Sequence, residues 1–337
     1  GAGEQGVTGI CVDPASGDVF ATMLYDNAPP TGPHYPKVVR FHSNDGGLTA
    51  ATQTTILNMT GETQGQSHQI SNASIGPDGK LYVHMGDGFN TATAQNLNSY
   101  RGKILRMNLD GSPVTDNPFY NGVDGINSSD YVYAYGVRNP FAGCWRQSDQ
   151  SHYIAENGPS VDRITKLVRG RNYLWSGSDA SMTNYAIYNW NPASGPVNIA
   201  FIESAVYGGS GFPASMYGNA FVAESGETWG TGPHAIGKRI TRFGIDATGS
   251  TTTGPFTLIE YNGSGKATCA GLTAGPDGLY FTDLYKDTGY VSPMDVGANV
   301  LRVKYVGQAS FTASPDNAGS APVLVSFTDT STVPGAT

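Results

Sequence analysis

The sequence predicts an all-β protein built as a β-propeller, and three observations carry that prediction. The first is a recurring phrase, a β-rich run, a tight turn and an alternating strand, found at 10–20, 73–83 and 272–281, with weaker copies at 144–154 and 215–223. The second is its spacing. Self-similarity at roughly 60 to 70 residues, with only strands and turns between copies, is what radial repetition of four-stranded sheets produces. The third is composition: among 337 residues there are 45 Gly and 20 Pro, and only 14% are charged. That balance suits a turn-dense all-β chain long enough to bury a sizeable core.

Each element of the repeat has a local cause. Pro77-Asp78-Gly79 and Pro276-Asp277-Gly278 supply Pro for the first turn corner, Asp to bond the turn backbone and Gly where φ turns positive, so each marks a hairpin. The stretches that follow, 81–85 and 279–282, alternate with the period of a strand packed on one face. The runs 102–108, 238–243 and 298–304 are expected to be outer blade strands with their charges facing water. About five such units fit between residues 7 and 306, and the propeller is assigned to 1–306. From Ala309 onward there is no Lys or Arg, and the run 321–329 resembles the opening of a PKD-type immunoglobulin-like sandwich. Such a sandwich needs about seven strands. Residues 307–337 are therefore expected to be a linker and a truncated, PKD-like part of a sandwich.

Charge and hydropathy exclude some functions. With 19 Lys and Arg against 27 Asp and Glu, the formal net charge is −8, and no basic stripe is available for phosphates, so nucleic acid is not expected as a partner. No apolar run approaches the roughly 18 to 20 residues of a membrane span, and no signal peptide is visible. Gly1 is not a native start, and the expectation is a processed protein that is secreted, periplasmic or held at the cell surface. Cys11, Cys144 and Cys269 show no metal spacing and are read as small hydrophobes. A Cys11–Cys269 disulfide would require the first and last blades to meet.

Four stretches bring reactive side chains together. His68 precedes the second repeat and Asp87 ends its alternating strand, so imidazole and carboxylate are expected at one end of one hairpin. There a carboxylate would fix the tautomer of a proton-accepting His. Arg138 and Asn139 stand at a strand end fixed by Pro140, where a guanidinium could grip a carboxylate or a quinone oxygen through paired hydrogen bonds. The loop from Glu156 through Gly158, Pro159 and Asp162 offers the hard oxygens that calcium accepts. Taken singly, each has an ordinary structural explanation: a bonded His, a turn, a capping Arg, an acidic loop.

The order of the motifs is more specific than any one of them. Glu4 through Pro14, His68-Gln69, Ile75 through Val83, Gly86-Asp87-Gly88, Gly102 through Arg106, Asp116 through Phe119, Tyr135 through Phe141, Glu156 through Pro159 and Gly170 through Trp175 together resemble the glucose/sorbosone dehydrogenase family. The resemblance is strong over residues 3–176 and looser to about 306. It implies a six-bladed propeller whose first blade is missing from this chain, binding pyrroloquinoline quinone (PQQ) and calcium and oxidising a small sugar at the expense of an unidentified electron acceptor. It also implies roles. His68 would be the general base and Asp87 its support. Arg138 and Asn139 would bind the quinone and stabilise its developing charge. Glu4 would lie beside the cofactor, the carbonyls of Gly158 and Pro159 would ligate calcium, and Asp162 would belong to a nearby structural calcium site.

The departures from the family pattern point the other way. Arg163 follows Asp162 where the family has an acidic residue. The late-blade stretches at 224–229 and 267–272 offer no cation where the family supplies Lys and Arg to the cofactor carboxylates, and Lys266 and Lys286 are out of register. Unpaired anions in a dry cleft are costly. A competing reading follows: a redox-inactive propeller that holds polysaccharide or protein partners, through its face or its PKD-like region.

Overall fold

The computed structural model describes residues 4, 6–26, 34–62, 65, 67–226, 232, 236–285 and 299–306, together with the backbone of 311–314 and 326–329. Five antiparallel blades follow one another along the chain. Blade 1 comprises β1 (Gly6–Val12), β2 (Val19–Asp26), β3 (His34–His42) and β4 (Thr52–Asn58). Blade 2 comprises β5 (Ile70–Ile75), β6 (Leu81–Met85), β7 (Lys103–Met107) and β8 (Val132–Tyr135), with a short helix α1 (Thr91–Gln95) between β6 and β7. Blade 3 comprises β9 (Ala142–Arg146), β10 (Ser151–Glu156), β11 (Asp162–Lys166) and β12 (Tyr188–Trp190). Blade 4 comprises β13 (Pro196–Ile202), β14 (Asn219–Glu224), β15 (Arg239–Ile245) and β16 (Thr251–Glu260). Blade 5 has three described strands, β17 (Leu272–Gly275), β18 (Gly278–Asp283) and β19 (Asn299–Val303).

The recurring phrase is the inner hairpin of the blade. It falls on β1–β2, β5–β6, β9–β10 and β17–β18, and its weak copy at 215–223 covers only the approach to β14 and most of that strand. The five units read from the sequence are five blades. A sixth, expected from the family resemblance, is not among the described residues. Nor is an immunoglobulin-like sandwich: between 307 and 337 they give only a two-stranded ribbon, β20 (Phe311–Ser314) with β21 (Ser326–Asp329). Lys286 and residues 227–229 lie outside the described residues.

The core lies in layers between blades, because each sheet buries a face against its neighbour. Phe20, Val38 and Leu57 of blade 1 pack on Ile70, Val83 and Leu105 of blade 2. Ile104 and Ala134 pack on Ile154 and Tyr173. Tyr153 and Ile164 meet Ile199 and Val222, and Ile202 and Phe221 meet Leu272 and Leu279. Each large apolar side chain fully removed from water contributes roughly 1.5–3 kcal/mol. Blades 1 and 2 approach so closely that a Cβ on Gly9 would strike the Ser71 carbonyl. All three cysteines are free thiols. Cys11 packs between blades 1 and 2 and Cys269 between blades 4 and 5, and burial pushes both thiols up to about 12.

The expected outer strands are third strands, and three of their cations are buried, Arg106 at 7% exposed and two lysines more deeply. Lys103 and Lys238 are 0% and 1% exposed. The Lys103 ammonium donates to the carbonyls of Thr93 (2.7 Å), Ala94 (3.2 Å) and Arg101 (2.6 Å). It therefore ties α1, whose last-turn carbonyls lack helical partners, to β7. Burial lowers its pKa to about 7.

Candidate active site

The blades deliver the expected residues to one mouth of the hub. His68 immediately precedes β5, Gly86-Asp87-Gly88 follows β6, and Arg138-Asn139 precedes β9. Backbone hydrogen bonds lock these segments together. Gly86 N–H donates to the Gln69 carbonyl (2.9 Å), Gly88 N–H to the His68 carbonyl (3.1 Å) and Asp87 N–H to the Arg138 carbonyl (2.7 Å). The first glycine of the turn is set by this packing, since a Cβ on Gly86 would lie 2.8 Å from the Cα of His68.

His68 and Asp87 are paired, as the hairpin argument predicts. His68 Nδ1 lies 2.6 Å from Asp87 Oδ1, with the side chains 5% and 2% exposed. The same oxygen accepts the Phe89 N–H at 3.0 Å, and Oδ2 accepts the indole N–H of Trp175 at 2.8 Å. Asp87 thus accepts hydrogen bonds at both oxygens, which fixes its orientation. The Nδ1–H bond leaves Nε2 of the imidazole as its proton acceptor.

Arg138 belongs to the same network. Its guanidinium lies 5.6 Å from the centre of the Trp175 ring and donates through Nη1 to the Asn157 carbonyl at 2.6 Å. Glu4 closes the other side: its carboxylate accepts the His68 backbone N–H at 2.5 Å and faces Asn139 Nδ2 at 3.4 Å. Burial raises the Glu4 pKa against the attraction of His68. Burial also lowers that of Arg138, although Asp87, Glu156, Asp162 and Glu4 all act to raise it. Four carboxylates therefore act on Arg138, and one of them, Glu156, is also paired with Arg163. Asn139 Oδ1, Gln69 Oε1 and Glu156 Oε2 are buried at this mouth without partners.

At Asp162, where the resemblance implies a structural calcium site, the carboxylate is bonded by the chain itself. Both of its oxygens are committed to backbone amides: Oδ1 to Gly158 (2.9 Å), Oδ2 to Ser194 (2.8 Å) and Gly195 (2.9 Å). Beside it, fully buried Arg163 donates to the carbonyls of Tyr173 (3.0 Å) and Asn184 (2.8 Å) and to Glu156 (2.9 Å). Gly158 and Pro159 sit on the loop beside Asn157. Among the described residues, no group of three or more His, Cys, Asp and Glu side chains is placed to hold a metal ion.

Among the described residues, the late-blade stretches 224–226 and 267–272 carry no Lys or Arg. Glu224 is fully buried and spends its oxygens on Arg239 (2.8 Å) and Trp190 (3.0 Å). Cys269 is in the core, and Lys266 lies 5.8 Å from the Tyr285 ring. The hub also contains a cavity of about 580 Å³, lined by Ile10, Ala73, Cys144, Ala200 and Thr273 from the first strands of all five blades. None of the candidate residues lines it. Two contributors were not singled out from sequence, Trp175 and Phe89. Trp175 stood within a matched motif, and only the fold shows that it reaches Asp87.

Comparison with known proteins bears on the family and the fold. A family profile described as "Glucose / Sorbosone dehydrogenase" matches residues 1–224. Quinoprotein glucose dehydrogenase B of Acinetobacter calcoaceticus is 29% identical over 241 residues, which is 63% of this chain and 49% of that protein. The chain thus spans about half of that relative's length. A putative oxidoreductase (glucose dehydrogenase) from Thermus thermophilus superposes with a TM-score of 0.67 at 26% identity, over 90% of this chain and 84% of the other. The PQQ-bound aldose sugar dehydrogenase of Streptomyces coelicolor, 23% identical, shares the fold with a TM-score of 0.63 over 84% and 75% of the two chains.

Proposed function

The chain belongs to the glucose/sorbosone dehydrogenase family, and from that premise we propose that the His68 mouth oxidises the anomeric hydroxyl of an aldose. The observation that carries the reading is the His68–Asp87 pair at 2.6 Å, joined through Asp87 N–H to the Arg138 carbonyl. The pair supplies a base, and the join places a guanidinium and an amide next to it.

The residues at this mouth suit the oxygen end of a quinone. Arg138 commits one nitrogen to Asn157, and Asn139 makes only a long bond to Glu4, so both retain donors for oxygens that gain negative charge. PQQ, if held there by Arg138 and Asn139, would supply the two-electron acceptor for the hydrogen on C1. His68 Nε2 takes the hydroxyl proton, Asp87 stabilises the imidazolium that results, and C1 is left as the lactone carbonyl. For the carboxylate end of such a cofactor, the stretches 224–226 and 267–272 carry no Lys or Arg, and Arg239, the cation beside Glu224, is paired with it. The electron acceptor stays unassigned, and the proposed setting is the periplasm or the exterior. No helix among the described residues is long and apolar enough to cross a membrane.

That unmatched end supports a second reading, a propeller that keeps the fold and binds polysaccharide or protein without redox chemistry. One titration separates the two. Protein mixed with PQQ is expected to reduce an artificial acceptor when given D-glucose or another aldose. His68→Ala is expected to remove at least a hundredfold of that rate, on the order of the contribution of a general base, with little loss of melting temperature. No change in quinone absorbance on titration would leave the binding reading.

A further inference from the structure

At the mouth, Phe89 combines two features that work against the stability of the fold. It is 67% exposed, and its backbone is left-handed, with φ +61. Bulky side chains avoid that conformation, which Gly or Asn adopts with less strain. A single exposed aromatic is ordinary on a protein surface. Here exposure and strain coincide with a third observation: the ring lies on the imidazole of His68, centroids 3.9 Å apart and planes 30° apart. His68 is itself left-handed, with φ +57. The contact is held from both sides, because the Phe89 N–H donates to the Asp87 oxygen that pairs with His68 Nδ1.

We propose that Phe89 is a positioning residue for the base: its ring clamps the imidazole in the orientation set by Asp87 and stabilises the positive charge His68 gains on accepting a proton. An aromatic face attracts a cation placed against it through the negative face of its π system. Asp87 acts at the Nδ1 edge of the imidazole and Phe89 on its face, so the two constrain different motions of one ring. The other charged groups near His68 are Glu4, bonded to its backbone N–H, and Arg138, which Asp87 and Glu4 both attract. The strain at Phe89 is then the cost of a local arrangement that serves the site.

The inference rests on the sugar-oxidising reading, and its test separates the two. Histidine titration by NMR on Phe89→Leu, Phe89→Asn and Phe89→Tyr reads His68 directly, with no cofactor needed. The expected midpoint falls by about half a pH unit in Phe89→Leu and Phe89→Asn and returns in Phe89→Tyr. In the PQQ-loaded enzyme, kcat with D-glucose should fall about 3- to 10-fold in the first two variants. KM should stay within about twofold, and the acid limb of the pH profile should move with the NMR midpoint. The melting temperature of Phe89→Asn should equal or exceed that of the unaltered protein, the opposite of what a structural role requires. An unmoved His68 midpoint in Phe89→Leu overturns the inference whatever the activity. A moved midpoint in a protein that oxidises no sugar overturns the functional reading and leaves the stacking intact.

Discussion

At the scale of single residues, the site depends on how completely Asp87 is held. Trp175 supplies the donor at Oδ2, 2.8 Å away, and is only 3% exposed. Trp175→Phe keeps the packing and removes one N–H, leaving a buried carboxylate oxygen short of a partner. That costs about 1–3 kcal/mol of stability and lets the His68–Asp87 pair rotate away from its working geometry. The expected result is a kcat lowered by about tenfold at nearly constant KM, the pattern of a lost orienting group. A change confined to KM would argue that Trp175 contacts substrate instead. The sequence made His68 and Asp87 legible, because a period-two hairpin carries its two ends to one place and both residues lie at those ends. Trp175 was not legible in the same way: it acts across 88 positions, through the packing of blades 2 and 3. Phe89 was hidden for another reason, since nothing in Gly88-Phe89-Asn90 announces a left-handed backbone.

At the scale of elements, blades 2 and 3 are joined by two fully buried histidines. His84 on β6 places Nδ1 2.9 Å from the Pro140 carbonyl, which fixes that nitrogen as the donor, and its Nε2 lies 3.2 Å from Nε2 of His152 on β10. His152 must then donate, and its own Nδ1 has no partner. Gly143 lets β9 pass over the pair, as a Cβ there would lie 2.6 Å from His152 Nε2. Burial lowers the pKa of His84 to about 4 and that of His152 well below its ordinary value. The unfolded chain therefore binds more protons below about pH 6.5, and stability is lost as pH falls through that window. Between about pH 7 and pH 5 each histidine withdraws on the order of 2 kcal/mol. The carboxyls of Glu4, Glu156 and Asp162, raised by burial, act in the opposite direction. Urea unfolding across this range should show the loss, and His152→Gln should remove about half of it; an unchanged slope would exclude the pair as its source. Neither histidine stood out in the sequence, where His84 is one member of an alternating strand. The blade itself did stand out, because turn chemistry and strand period are local signals. The burial of Lys103 was missed because alternation assigns a cation to water unless other groups, here three carbonyls, take its place.

At the scale of the whole molecule, five blades leave two sheet faces without a neighbour among the described residues. β1 half-buries Thr8 and Gly9 toward blade 2, where the Thr8 hydroxyl donates to the Ile70 carbonyl at 2.7 Å. Elsewhere β1 exposes Val7, Ile10 and Val12, with Ile10 68% accessible, and β19 of blade 5 exposes Val300 at 73%. Ile10 and Val300 both border the hub cavity, so the two bare faces look onto the same space. Everywhere else the blades cover such faces with one another, and each covered side chain contributes to the fold. Bare apolar strands beside an open hub are instead a liability for self-association. The expectation is that residues 1–337, as a purified protein, bind a hydrophobic dye and associate in a concentration-dependent way. Ile10→Thr combined with Val300→Thr should reduce both and leave the melting temperature within a few degrees, since neither side chain is buried. Light scattering and dye titration read the outcome. If the double variant associates as before, the contact arises elsewhere on the surface. If the melting temperature instead drops sharply, the two strands are covered in solution, and the ring closes more completely than its five described blades imply.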